Sequence, residues 1–262
     1  MATRSASFEA IILRSKEVPS GARVATLLSA EEGIVEAFVF GGGKSKLRSL
    51  ASPWHYGRAW IYRDTAKGLI KLTDFDPLRE YQGIRGNLDA IAAASFASEF
   101  IIATSALGGD WADALSLVSD ALATLDEAAA RVGPQAALNV DSRAVDRAVA
   151  LFTVRALEAM GMMPDLDECS SCAGAIRHDA VHSYSRRTGG FVCPHCLEPG
   201  QDAILVPPGV LVWLDAAGRK PFVEAVRVGL GNEASAAFKA FALDLARKAA
   251  DTPLKTLNSG LL

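Results

Sequence analysis

Short apolar runs and turn residues alternate through the first third of the chain. FEAIIL (8–13), RVATLLS (23–29), IVEAFVF (34–40), YGRAWIY (56–62) and GLIKLTDF (68–75) are separated by Pro19-Ser20-Gly21, Glu32-Gly33, the glycines at 41–43, Ser52-Pro53 and Lys67-Gly68. Runs of this length, rich in β-branched and aromatic side chains and closed off by Gly and Pro, predict β-strands. Five such strands in succession, with no helix-length segment among them, predict a small closed or nearly closed barrel. Ala10-Ile11-Ile12-Leu13 is apolar at consecutive positions. The first strand is therefore expected to be buried on both faces, inside the barrel and against neighbouring structure. Phe38 and Phe40 are expected in the core.

From residue 83 the apolar spacing lengthens to that of helices. Leu88, Ile91, Phe96, Phe100 and Leu107 lie in an alanine-rich run whose expected stop is Gly108-Gly109. Asp110 opens a second helix marked by Trp111, Leu115, Val118 and Leu122. Asp141 or Ser142 caps a third, in which Val145, Val149, Phe152, Ala156 and Met160 step by four, three, four and four. Leu151, Val154 and Leu157 make that helix apolar on a second side, so it should be central to its domain. Gly161 and Pro164 end it, Pro207-Pro208 leads a short helix through Trp213, and a last helix is predicted over 233–248. The expected class is α+β, with a barrel domain at 1–80 followed by a helical domain at 81–262.

All four cysteines of the chain fall in CSSCAGAIRHDAVHSYSRRTGGFVCPHC, as Cys169, Cys172, Cys193 and Cys196. Two C-x-x-C knuckles joined by a hairpin-length spacer suit one tetrahedral zinc ion. Four thiolates close its coordination sphere, so the zinc would be structural, one per chain. Two redox-active thiol pairs or two disulfides fit the same spacing. A deaminase zinc does not, because His178-Asp179-Ala180 and His182-Ser183-Tyr184 lack the glutamate of an H-x-E motif. His195 reads as an exposed knuckle residue. MATRSASFEA lacks the apolar core of a secretory signal, so the cysteines are expected reduced, in the cytoplasm. The most apolar stretch, 89–107, is interrupted by Asp89 and Glu99, so no membrane span is expected.

The net charge of −3 conceals an asymmetry. Residues 1–85 carry thirteen Lys and Arg against nine Asp and Glu, whereas the remainder carries fourteen against twenty-one. The glycine-rich loop FGGGKSKLRS (40–49) presents Lys44, Lys46 and Arg48 from the barrel, and Arg14, Arg23, Arg58 and Arg63 lie in or beside neighbouring strands. Cations so placed can follow a nucleic-acid backbone, since each neutralised phosphate releases counterions; a merely solubilising loop is the other reading. Gly43-Lys44-Ser45 resembles the end of a P-loop, but Phe38 stands where that motif needs glycine. Trp54, Tyr56, Trp60 and Tyr62 alternate along one strand and its lead-in, either packing one face of the barrel or stacking bases. No G-x-S-x-G elbow or other catalytic constellation is present, and an enzyme is not expected. Asp165, Asp167 and Glu168 read as a solvated turn.

Taken together, AIILRSKEVPSGARVATLLSAEEGIVEAFVFGGGKSKLRSLASPW, LTDFDPLREYQGIRGNLDAIAAASFASEFI, LFTVRALEAMGMMPDLDECSSC, TGGFVCPHC and PLKTLNSGLL resemble, in order, the RecO family of bacterial recombination mediators and DNA repair proteins. The resemblance implies an N-terminal OB-fold and a C-terminal helical domain with an inserted zinc ribbon at 169–196. It further implies binding of single- and double-stranded DNA, annealing of complementary strands, and action with RecR to load RecA on strands coated by single-stranded-DNA-binding protein (SSB), whose acidic C-terminal tail is contacted. Some family members lack the cysteines, as a structural metal allows. The family's loop is usually more basic than Gly41-Gly42-Gly43, which leaves Lys44, Lys46 and Arg48 to carry its charge. A zinc-ribbon adaptor with little direct DNA binding is the alternative.

Overall fold

The computed structural model describes residues 5–19, 21–41, 45–108, 110–130 and 142–262. The five apolar runs form β1 (Ser5–Glu17), β2 (Arg23–Ser29), β3 (Gly33–Val39), β4 (Tyr56–Asp64) and β5 (Leu69–Arg79), with a short helix α1 (Lys46–Leu50) between β3 and β4. They close as a barrel in the order β1-β2-β3-β5-β4, antiparallel throughout except where β3 meets β5. The closed barrel is the one expected above from strand count, and its order is that of the OB-fold the family resemblance implies. Alternate side chains fill the interior: Phe8, Ala10 and Ile12 from β1, Ala25 and Leu27 from β2, Val35, Ala37 and Val39 from β3, Leu72 and Phe75 from β5. Leu47, Leu50 and Ala51 from and after α1 pack onto the same core.

Ile11 and Leu13, which point the other way, are buried as well. Helices α2 (Leu88–Ala103) and α3 (Trp111–Ala130) cover them: both pack on β1, and α3 on β2. The two-faced burial of the first strand is thus met by the helices that follow the barrel. The register of β1 with β2 shifts between Ile12 and Arg14, so Leu13 is the extra residue. The shift brings Arg14 opposite Thr26, which lies opposite Glu36.

Phe38 and Phe40 depart from the expected core placement. Val35, Ala37 and Val39 take the inward positions of β3, leaving Phe38 half-buried outside and Phe40 49% exposed. A period-two strand cannot bury both parities unless something covers its outer face. Helix α2 also ends earlier than predicted. Ser105, Ala106 and Leu107 adopt positive φ, and the Ala106 amide donates to the Ile101 carbonyl at 2.8 Å, turning Ala106 and Leu107 into the core before the glycines are reached. Asp110 does cap α3, its Oδ1 accepting from the Asp113 amide at 3.0 Å. The alternative cap Asp141, like Gly109, lies outside the described residues.

By packing, the described residues fall into two units, one within Met1–Ala130 with Ala250–Leu262, the other within Arg131–Ala249. In the first, Glu99, the acid that interrupts the apolar run, accepts from the Lys255 and Thr256 amides and the Thr256 hydroxyl at 2.7–2.8 Å. It thereby caps a short C-terminal helix, which the sequence did not suggest. In the second, α4 (Ser142–Ala159) is central as expected, with Val149, Phe152, Val154 and Leu157 all buried. The chain then forms β6 (His182–Ser185), β7 (Gly190–Val192), β8 (Ala203–Val206), α5 (Pro208–Ala217), α6 (Phe222–Arg227) and α7 (Asn232–Ala249); the C-terminal helix is α8 (Lys255–Asn258). The sheet order is β7-β6-β8, and α4 packs on α6 and α7. Among the described residues no helix is long and apolar enough to cross a membrane.

Gly33 begins β3 at φ +68°, and a Cβ there would lie 2.7 Å from the Trp111 indole. Gly68, at φ +59°, faces open space. Gly33→Ala should lower stability in denaturant titrations by about 2–3 kcal/mol, against about 1 for Gly68→Ala. Equal losses would mean that Trp111 is not locked against the hairpin.

Candidate metal centre and nucleic-acid face

The first cysteine knuckle is held by its own backbone: the Cys169 amide donates to the Gly174 carbonyl and the Ala173 amide to the Cys169 carbonyl, both at 2.8 Å. The second folds in the same way, with the Cys196 and Leu197 amides donating to the Cys193 carbonyl at 3.0 and 3.1 Å. The hairpin of β6 and β7 joins them, and the Ser170 amide donates to the Phe191 carbonyl at 2.8 Å. Gly190 makes that approach possible, since a Cβ would meet the Ser170 side chain at 2.7 Å.

The result brings the four Sγ atoms within 4.8 Å of one another, Cys172 and Cys193 being 3.9 Å apart. Metal–sulfur bonds of about 2.3 Å in a tetrahedron separate sulfurs by roughly 3.8 Å, so the donor set fits a metal ion. Burial resists ionisation of Cys169, but amides of Cys193, Ser171 and Cys172 outweigh it and bring the thiol down to about 6. Cys196, hydrogen-bonded to Cys193 and Cys172, is pushed up to about 12. Sulfurs this close cannot all be thiolates unless a cation lies among them. Cys169 is buried and Cys172 exposed, and His195 is exposed on the second knuckle.

Beyond the cysteines the ribbon is anchored by packing and charge. Tyr184 of β6 and Phe191 of β7 pack on Phe241 of α7, with ring centroids 5.1 and 5.6 Å away. Arg186 donates to Asp244 at 2.8 Å and to Asp202 at 2.5 Å. His178 places Nδ1 2.5 Å from Asp215 of α5 and Nε2 3.0 Å from Asp167. The hydrogen bond to Asp215 raises its pKa against the effect of burial. Asp165 accepts from the Asp167 and Glu168 amides at 2.7 and 3.0 Å, the turn expected of this acidic cluster.

On the barrel, the arginines singled out in the sequence each meet a carboxylate. Arg14 pairs with Glu36 at 3.4 Å, Arg58 with Glu9 at 3.4 Å and Arg63 with Glu32 at 2.6 Å. Arg23 and Arg48 share Glu17, at 3.6 and 2.7 Å. Arg48 also donates to the Gly41 carbonyl at 3.1 Å and is only 11% exposed, so it ties Gly41 to Glu17 of β1. Lys44 lies outside the described residues. Lys46 starts α1 and lines an open cleft of about 650 Å³ with Leu47, Trp60 and Asp76. Among the described residues neither Lys46 nor Lys71 has a carboxylate partner.

The aromatic series divides. Trp54 is buried beneath Arg85, whose guanidinium lies 5.9 Å from the indole centroid. Tyr56, Trp60 and Tyr62 are half-buried on β4. Tyr56 donates to Glu9, which pushes its phenol up to about 12. His55 is buried, its Nδ1 2.8 Å from the Leu50 carbonyl oxygen, and burial lowers its pKa.

These features define a class: a closed OB-type barrel joined in sequence to a helical region that carries a four-cysteine metal centre. A family model described as the recombination protein O N-terminal domain matches residues 1–81, and the corresponding C-terminal model matches residues 85–257. The chain belongs to the recombination protein O (RecO) family, a family of DNA repair and recombination proteins. It is 28% identical over 237 residues to the DNA repair protein RecO of Anaeromyxobacter sp. strain Fw109-5, covering 88% of this chain and 87% of the relative. The RecO of Myxococcus xanthus is 28% identical with 79% of each chain covered, and that of Pelotomaculum thermopropionicum 26% identical with 85% and 79% covered.

The purified protein should carry one metal ion per chain by elemental analysis. Cys172→Ser, which removes an exposed ligand, should weaken retention against a chelator at least tenfold. Full retention by this variant would remove Cys172 from the donor set. The His178–Asp215 contact should add stability that is complete below the unfolded pKa near 6.5 and lost as pH rises through the raised folded value. His178→Gln should flatten that part of the stability–pH curve. An unchanged curve would show that His178 keeps its proton equally well in the unfolded chain.

Proposed function

We propose that this protein is a recombination mediator that binds single- and double-stranded DNA, anneals complementary strands and, with RecR, helps load RecA on SSB-coated single strands. The observation that carries the proposal is the end-to-end family match of a chain whose barrel leaves the outer side of β3, β4 and β5 bearing cations and aromatic rings. Residues 1–80 are the DNA-binding domain and 81–262 the helical domain. Arg14, Arg23, Lys44, Lys46, Arg48, Arg58 and Arg63 are the proposed phosphate contacts, and Zn²⁺, one per chain, is the ion of Cys169, Cys172, Cys193 and Cys196. Thiolate ligands in a closed tetrahedron favour zinc in a structural role. The protein acts in the cytoplasm, at the nucleoid during repair, and contacts the SSB tail through its helical domain.

The mechanism is physical rather than chemical. Phosphates held by the barrel carry little sequence information, so binding is unselective. Two strands held near one another have a raised effective concentration and a screened repulsion, and pair faster without nucleotide hydrolysis. The pairing of five arginines with glutamates supports the second reading, an adaptor that works through protein contacts.

Annealing of complementary labelled strands across a salt series separates the two. Mediator activity predicts acceleration that fades with salt and falls severalfold in Lys44→Ala/Lys46→Ala, with a shallower salt slope by about two. No acceleration by folded, metal-loaded protein, with or without RecR, would favour the adaptor. Cys169→Ser should destabilise the metal-bearing unit while leaving most DNA affinity intact. Loss equal to that of the lysine variant would overturn this division.

A further inference from the structure

Phe38, Lys71 and Tyr62 are cross-strand neighbours on β3, β5 and β4 and form one row across the outer face of the barrel. Phe40 follows directly after β3, its ring stacked on Phe38 with centroids 6.0 Å apart and planes 20° apart. The Lys71 ammonium lies 5.4 Å from the Phe40 centroid. Gly41 continues the chain at φ +127°, and a Cβ there would meet Ser45 at 2.6 Å. Lys71 has no carboxylate partner among the described residues. On the outer face Glu36 is held by Arg14 and Thr26, while the exposed Asp74 and Asp76 lie further along β5, beside Trp60 and Arg58 of β4.

We propose, resting on the DNA-binding reading above, that Phe40 and Phe38 with Lys71 form a stacking platform for unpaired bases of single-stranded nucleic acid. A large exposed ring gains by covering its face with another π-system, and every base has one, so stacking is insensitive to sequence. A ring with an ammonium beside it suits a nucleotide, because the base takes the aromatic surface while the cation meets the phosphate. Bases within a duplex are stacked on one another and cannot reach the ring, so the platform favours single strands over duplex. It also differs from phosphate contact in kind: it adds affinity without releasing counterions, hence without salt dependence.

The test is fluorescence anisotropy of the full, metal-loaded chain with a labelled oligothymidine, an abasic oligomer of the same length and a duplex, each across a salt series. Phe40→Ala, at an exposed position, should bind oligothymidine about tenfold more weakly with an unchanged salt slope, and should bind the abasic strand and the duplex as the parent does. Phe40→Trp should restore binding, whereas Lys71→Ala should weaken oligothymidine and abasic strand alike and reduce the slope by about one. If Phe40→Ala binds oligothymidine as tightly as the parent, the platform is refuted and the exposed ring is left for a protein contact. Equal losses on all three ligands would also overturn it. A parent chain that binds oligothymidine and abasic strand equally keeps the DNA-binding reading and loses the platform; a parent that binds neither loses both.

Discussion

The constraint on which the rest depends is that β1 is apolar on both faces. Ala10, Ile11, Ile12 and Leu13 are all buried, yet the barrel interior can take only alternate residues. The others need an external cover, and α2 and α3 supply it across β1 and β2. This decides which part of the barrel remains free. With helices packed on β1 and β2, the outer sides of β3, β5 and β4, together with the end of β1 from Arg14 onward, are what can present side chains to a ligand. The cover also explains why the barrel packs as one unit with the first two long helices and the C-terminal segment. Removing those helices would leave Ile11 and Leu13 in water, at an order of 2 kcal/mol per fully exposed side chain.

The metal centre meets a different shortage. Around Cys169–Cys196 the strands are short: β7 has three residues, β6 and β8 four each. One face is supplied by Tyr184 and Phe191 against Phe241. The opposite end, where the knuckles meet, has little apolar content to bury. Four cysteines able to hold one cation stand where a core would be, in the manner of small domains that cannot build one. Ion pairs hold the edges: Arg186 with Asp202 and Asp244, His178 with Asp215. Four thiolates would complete a tetrahedron with no open position, so the cysteine cluster suits architecture.

What the sequence revealed and withheld follows the range of each interaction. Strand positions, the Asp110 cap, the central fourth helix and the cysteine knuckles are local patterns within a few residues, and all were legible. The parallel meeting of β3 and β5, the third ribbon strand β8 and the capping of α8 by Glu99 join residues far apart in the chain, so no local window contains them. The left-handed turn at 105–107 was hidden because its residues are not glycine; burial of Ala106 and Leu107 overrides their backbone preference. The placement of Phe38 and Phe40 was different in kind. Glu36 lies on β3 at the same parity, and a charged residue there marks the outer face. The alternation marks Phe38 and Phe40 as outward, against the core placement that aromatic character alone implies.

The arginines show why net charge is a poor guide to a binding face. Residues 1–85 have a surplus of basic groups, yet Arg14, Arg23, Arg48, Arg58 and Arg63 are all engaged by glutamates. Where both partners are exposed, as in Arg14–Glu36 and Arg58–Glu9, the pair is worth roughly 0–1 kcal/mol. A phosphate can displace such a carboxylate, but the gain is only the difference between two similar ion pairs. Arg48 is another matter, because exchange there would also release the Gly41 carbonyl. Free cations such as Lys46 and Lys71 gain the whole of a phosphate contact, and exposed rings gain from a base without any exchange of charge. Strand binding by such a surface must therefore draw more on lysines and aromatics than on the arginines that a count of charge brings forward.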